Sequence, residues 1–151
     1  MDNRKIKFRV WDKNLKLMAM ANCIKYPSDY VYPQIYYRYK NKQTGKIIDE
    51  CALFGSDDGC DTVRVMQYTG LKDKNGKDVY EGDIIRTKMF GKEIGNANFN
   101  DIDYFSIVYK GASFKLENNT RTFYFTKETS KSAEIIGNIY ENSELLKGCE
   151  T

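Results

Sequence analysis

The stretch Met66 to Arg86, MQYTGLKDKNGKDVYEGDIIR, decides how the rest of the chain is read. Leading into it, Val63, Val65 and Gln67 alternate with Arg64, Met66 and Tyr68, and β-branched and aromatic residues dominate, which predicts an extended strand. Thr69 and Gly70 end that strand. In Asp73-Lys74-Asn75-Gly76 a carboxylate able to accept local backbone hydrogen bonds precedes the two residues that best tolerate positive φ, so a reverse turn is expected. Val79 and Tyr80 resume the apolar pattern, and Glu81-Gly82-Asp83 bends the chain into a new strand at Ile84, Ile85 and Arg86. Asp73, Asn75, Gly76, Glu81, Gly82 and Asp83 are therefore read as structural turn residues. The acids among them, with Asp78, serve turns and solvation in this reading rather than a carboxylate site.

Length and composition bound the rest. The chain has 151 residues, enough for one domain over residues 1–151 with a real core, and too few for a second full domain. Apolar residues make up 41%, aromatics 14% and charged residues 30%, which is a globular rather than a disordered composition. Twelve tyrosines, eight phenylalanines and only two prolines tilt it towards strands. The net charge of +3 is too small to argue for nucleic acid by itself. No apolar run is long enough to cross a bilayer, and MDNRKIKFRVWDK at the start has no apolar block behind its charges, so a cytoplasmic protein is expected.

Metal and cofactor chemistry find little support. Cys23, Cys51, Cys60 and Cys149 form no Cys-x-x-Cys pair, and the absence of histidine rules out a mixed Cys/His zinc site. Reduced, unpaired cysteines are expected. Gly55 to Asp61, GSDDGCD, is rich in aspartate, yet it lacks the alternating ligands and downstream glutamate of an EF-hand loop and is read as an acidic turn. No metal and no cofactor are therefore assigned.

At the amino terminus Ile6, Phe8 and Val10 fall on one face of a strand and Lys5, Lys7 and Arg9 on the other, which predicts a core face and a wet face. Asp12-Lys13-Asn14 supplies a turn, and Leu15 to Met20 a return strand, giving a hairpin over residues 6–20. The segment Tyr26 to Lys46, YPSDYVYPQIYYRYKNKQTGK, holds half the tyrosines, both prolines and four basic residues against the single acid Asp29. It forms the centre of a long β excursion expected over about residues 25–50. Three readings stay open for it. The rings can lie over the core, they can form a protein or oligomer interface, where tyrosine and arginine are enriched, or rings and cations together can bind single-stranded nucleic acid. The candidate interaction surface comprises Tyr26, Tyr30, Tyr32, Tyr36, Tyr37, Arg38, Tyr39, Lys40 and Lys42; the nucleic-acid reading adds Lys25 and can draw in Lys5, Lys7 and Arg9.

Further along, Ile47 to Phe54 is read as a short strand or a helical turn. Gly91 to Asp103, with Asn96, Asn98 and Asn100, is expected as a mobile loop. Tyr104 to Leu116 gives two alternating strands around Lys110-Gly111, Phe123 to Phe125 another, and Ala133 to Tyr140 the last. Asn142 to Gly148 closes the chain as a short helix, capped by Asn142 and ended by Gly148.

Three separated segments carry a family likeness. KFRVWDKNLKLM (Lys7 to Met18), QYTGLKDKNGKDVYEGDII (Gln67 to Ile85) and EIIGNIYENSELL (Glu134 to Leu146) together resemble the YopX family of phage and prophage proteins. They cover both ends and the middle of the chain. Ser143 stands where that family often has proline, which suits the first position of a helix. The resemblance implies a mainly β fold with a barrel-like antiparallel core, a phage or prophage origin, expression inside a bacterial host, and self-association. It implies no reaction and no catalytic residues.

The residues alone also select no reaction. Without histidine, nucleophile–histidine arrangements on any serine or cysteine are excluded. Glu81 and Asp83 beside Asp78 are the one carboxylate combination worth inspecting, and Gly82 between them makes a tight turn the simpler account. The chain is therefore expected to be a non-enzymatic interaction module that binds a host or phage protein. A nucleic-acid-binding β module using residues 25–46 is the alternative, with binding that falls steeply as salt is added.

Overall fold

The computed structural model describes residues 5–29, 32–55, 61–88 and 102–149. The described residues fall into two compact units, Ile6–Gln67 and the residues from Tyr68 onward, the second taking in Lys5 as well. Each is held together by antiparallel strands.

The amino-terminal unit is a sheet in which Ile47–Leu53 (β4), Gln34–Lys40 (β3), Leu17–Lys25 (β2), Phe8–Asp12 (β1) and the first half of Val63–Lys72 (β5) lie side by side in that order. The segment Ile47 to Phe54, ambiguous in sequence, is thus a strand up to Leu53. Period-two alternation sends Val10, Ala19, Ile35, Tyr37 and Val63 into one core, with Leu17, Ala21, Ile24, Tyr39, Ala52, Phe54 and Val65 packed around them. Two expectations for the first strand are corrected. Ile6 precedes β1 and is 69% exposed, so it adds nothing to the core. Arg9, expected on a wet face, is buried, with Met20 and the buried Met66 as its cross-strand neighbours on either side.

The second unit begins in the later half of β5, which pairs with Asp78–Tyr80 (β6) through Tyr68 and Tyr80 and through Lys72 and Asp78. Thr122–Tyr124 (β10), Ser113–Glu117 (β9), Ile102–Lys110 (β8), Asp83–Lys88 (β7) and Glu134–Asn138 (β11) form a five-stranded antiparallel sheet in that order. Its core is Val79, Ile85, Phe105, Ile107, Leu116, Phe125 and Ala133. Between β8 and β9, Gly111 and Ala112 both take positive φ, +60° and +59°, as a two-residue hairpin loop demands. Among the described residues the strand pairing leaves each sheet open at both edges, so the barrel-like core expected from sequence is not seen.

The turn residues of the central stretch are engaged as backbone acceptors. Asp73 is buried: its Oδ1 accepts from the Asn75 and Lys77 amides, both at 2.9 Å, and its Oδ2 from the Ile135 amide at 3.2 Å. Gly76 takes φ +80° within that turn. Asp83 Oδ2 accepts from the Tyr80 amide at 2.8 Å, and Gly82 at φ +76° gives its amide to the Ile107 carbonyl. Glu81 is half-buried beside them.

One helix escapes the sequence reading. Lys127–Ser132 (α1) starts at Thr126, whose hydroxyl accepts from the Thr129 amide. At six residues it is too short to display an apolar stripe. The expected carboxyl-terminal helix is present as a 3-10 helix, Ser143–Cys149, with the Leu145 amide bonded to the Asn142 carbonyl. The Asn-rich loop expected over 91–103 lies outside the described residues, except that Ile102 and Asp103 already belong to β8. No helix among the described residues is long and apolar enough to cross a membrane.

A basic groove between two hairpin ends as candidate functional site

The first hairpin of the amino-terminal unit turns on Asp12. Its Oδ1 accepts from the amides of Asn14 and Leu15, both at 2.9 Å, which closes the turn between β1 and β2. Lys16 then sits at φ +49°, a left-handed conformation unusual for a residue with a Cβ. The second hairpin uses the same device. Asn41 Oδ1 accepts from Gln43 and Thr44, again at 2.9 Å, and Gly45 follows at φ +70°.

Because β2 and β3 are antiparallel with Met20 opposite Arg38, the start of β2 and the end of β3 meet at one end of the sheet. Leu15 to Met20 and Arg38 to Gln43 there enclose a concavity of about 580 Å³. Its lining contains four cations, Lys16, Arg38, Lys40 and Lys42, and no carboxylate, cysteine or histidine. Arg38 is neutralised: its Nε lies 2.6 Å from Asp49 Oδ1 and its Nη2 3.1 Å from Oδ2 across β3 and β4. That contact holds the Asp49 carboxyl below its ordinary range. Lys16, Lys40 and Lys42 form no ion pair with any described residue. Apolar surface lies alongside, including the exposed side chains of Leu15 and Met20. Chemically the groove can hold acidic groups and cover apolar ones.

The candidate surface read from sequence is divided by this geometry. Arg38, Tyr39, Lys40 and Lys42 come together in the groove. Tyr37 does not: it is only 3% exposed, and its hydroxyl donates to Asp12 Oδ2 at 2.5 Å. Burial, and then that hydrogen bond to a carboxylate, raise its pKa above the ordinary tyrosine value. Tyr36 shares a face of β3 with Arg38 and Lys40 but is not part of the groove lining: its hydroxyl donates to Gln34 at 2.9 Å and the Lys25 ammonium lies 4.6 Å from its ring centre. Tyr26 is 79% exposed but outside the groove, Tyr32 is half-buried, and Tyr30 lies outside the described residues.

Sequence reasoning missed the second wall. Lys16, Met18 and Met20 were legible only as a hairpin return strand, and the register that sets Met20 opposite Arg38 and so brings this wall beside the end of β3 is not revealed by one strand alone.

The other sites weighed in sequence separate as well. Asp78 is taken by Lys72 at 2.6 Å, while Asp83 serves a backbone amide. Of the acidic turn at Gly55 to Asp61, residues 56–60 lie outside the described residues, and Asp61 accepts from the Gly55 amide at 3.0 Å. Cys23 and Cys51 are free and exposed, Cys60 lies outside the described residues, and no group of three or more potential metal ligands occurs among those described.

The sequence matches the family model described as YopX protein over residues 7–147. Comparison with curated proteins finds no significant match. Among solved structures the chain is similar to the crystal structure of protein EF1440 from Enterococcus faecalis. That match has 26% identity and a TM-score of 0.58 and covers 94% of this chain and 98% of that one. A second similar structure is protein yopX from Bacillus subtilis, with 16% identity and a TM-score of 0.48, covering 97% of this chain and 99% of that one.

Proposed function

Because the chain belongs to the YopX family, we propose that it is a phage or prophage accessory protein that works in the cytoplasm of a bacterial host. It acts without catalysis, by binding an acidic segment of a host or phage protein in the groove between the two hairpin ends, as an adaptor or an inhibitor. The observation that carries this reading is the lining itself. Three lysines without an ionic partner among the described residues stand beside exposed Leu15 and Met20, with no carboxylate in the lining. Such a lining complements an acidic chain bearing apolar side chains, since opposite charge steers the encounter and apolar burial holds it.

The nucleic-acid reading shares the cations but lacks the rings. Stacking needs aromatic faces open beside the basic track. Tyr37 is in the core, Tyr36 is covered by Lys25, and only Tyr39 lines the groove. Fluorescence anisotropy separates the two. A labelled peptide of alternating glutamate and leucine is expected to bind at low salt, and Lys40→Glu with Lys42→Glu to abolish that binding. Tight binding of a single-stranded oligonucleotide with no peptide binding, or peptide binding indifferent to the charge reversal, overturns the proposal.

A further inference from the structure

The amino-terminal sheet ends in β4, whose only strand neighbour among the described residues is β3. Its pairing has a definite phase. Lys40 is opposite Ile47 and Gln34 opposite Leu53, and the bonds at the two ends run from the Asn41 amide to the Lys46 carbonyl and from the Phe54 amide to the Pro33 carbonyl. In an antiparallel ladder, hydrogen-bonded and non-hydrogen-bonded pairs alternate. The even-numbered residues of β4 therefore give their backbone groups to β3. Ile47, Asp49, Cys51 and Leu53 turn theirs to the open edge.

The side chains of those four residues are exposed, and the two large apolar ones, Ile47 at 60% and Leu53 at 43%, stand three residues either side of Glu50. We infer that β4 is a pairing edge for a second copy of this chain, running antiparallel and centred on Glu50. That register is the one that uses the whole strand. It sets Ile47 of each copy against Leu53 of the other, and Asp49 against Cys51, as hydrogen-bonded pairs. Each such pair exchanges two backbone bonds, so the edge gains roughly eight. The mirror placement of Ile47 and Leu53 about the strand centre is what selects a second copy over an unrelated strand, because the chain supplies its own complement.

The same register opposes Glu50 to its own copy at a non-hydrogen-bonded position, where side chains approach most closely. Like charges placed so are destabilising. Glu50 thus works as a brake that keeps the association weak and reversible. Edge strands commonly carry charges for such control.

The test is sedimentation velocity on the full chain under reducing conditions, across a concentration series. The wild type is expected to pass from monomer to dimer, and Glu50→Gln to tighten the dimer by about two- to fivefold, the worth of one relieved cross-strand repulsion. Cys51→Pro removes an amide that faces the open edge and leaves the β3 ladder intact, a position at which edge strands accept proline. It is expected to stay monomeric. Should Cys51→Pro fail to fold, Ile47→Lys with Leu53→Lys reads the same edge through exposed side chains. A wild type and Glu50→Gln variant both monomeric at the highest concentration overturn the inference, as does a dimer that survives the edge variants. The groove reading is tested on different residues and stands or falls separately.

Discussion

The Tyr37 hydroxyl reaches Asp12 Oδ2 at 2.5 Å within the core of the amino-terminal unit, while Asp12 Oδ1 holds the two amides that close the first hairpin. One carboxylate thereby ties the middle of β3 to the turn that begins one wall of the groove. It accepts from three donors. Tyr37→Phe removes one donor and leaves a buried carboxylate oxygen without it, and is expected to cost about 2 kcal/mol in urea unfolding at neutral pH.

The same pair sets an alkaline limit. In an unfolded chain the tyrosine titrates near 10, and in the folded protein its pKa lies higher. A raised folded value means that the stability it contributes is complete below pH 10 and is lost as pH rises past it, because the unfolded chain releases its proton first. The stability difference between wild type and Tyr37→Phe should therefore narrow between pH 7 and roughly pH 11. A difference that stays constant or widens with pH would contradict this account.

Asp73 should be the most sensitive residue of the central stretch. Its three amide partners include Ile135, which lies far along the chain at the start of β11. Asp73→Ala strands several donors at once and is expected to cost about 3 kcal/mol. Asp73→Asn keeps one acceptor oxygen and should cost less. Chemical denaturation of the three proteins checks that order, and equal losses would show that the carboxylate is not the cause.

Gly137 meets Asn142 with no room to spare. A Cβ built on Gly137 would lie 2.5 Å from Asn142 Oδ1 and 2.9 Å from its Cβ. Gly137→Ala is accordingly expected to lose about 1 to 3 kcal/mol through overpacking. Combining it with Asn142→Gly, which removes all the side-chain atoms that clash, should recover part of that loss, after allowing for the cost of Asn142→Gly alone. Additive losses in the double-variant cycle would mean that the two residues do not oppose each other.

Much of this architecture was legible locally. Alternation in Tyr104 to Leu116 reports strands because Phe105, Ile107 and Leu116 supply an apolar face, the β-branched and aromatic residues of Val63 to Tyr68 report a strand buried on both faces, and Asp73-Lys74-Asn75-Gly76 reports a turn because its residues supply the acceptor and the positive φ. What was not legible depends on partners. Tyr36 and Tyr37 are neighbours in sequence, yet period two sends one over Lys25 and the other onto Asp12, so composition could not say which rings were free. The groove needs the register of β2 on β3, which no single strand carries. Barrel closure likewise depends on how the outermost strands pair, and local pattern says nothing of that.

The groove lies between two hairpin tips, one turned on Asp12 and the other on Asn41. Lengthening or shortening such tips carries a modest entropic penalty and leaves Val10 and Ile35 undisturbed. A descendant could therefore exchange one target for another by editing two short loops, with the scaffold beneath inherited unaltered.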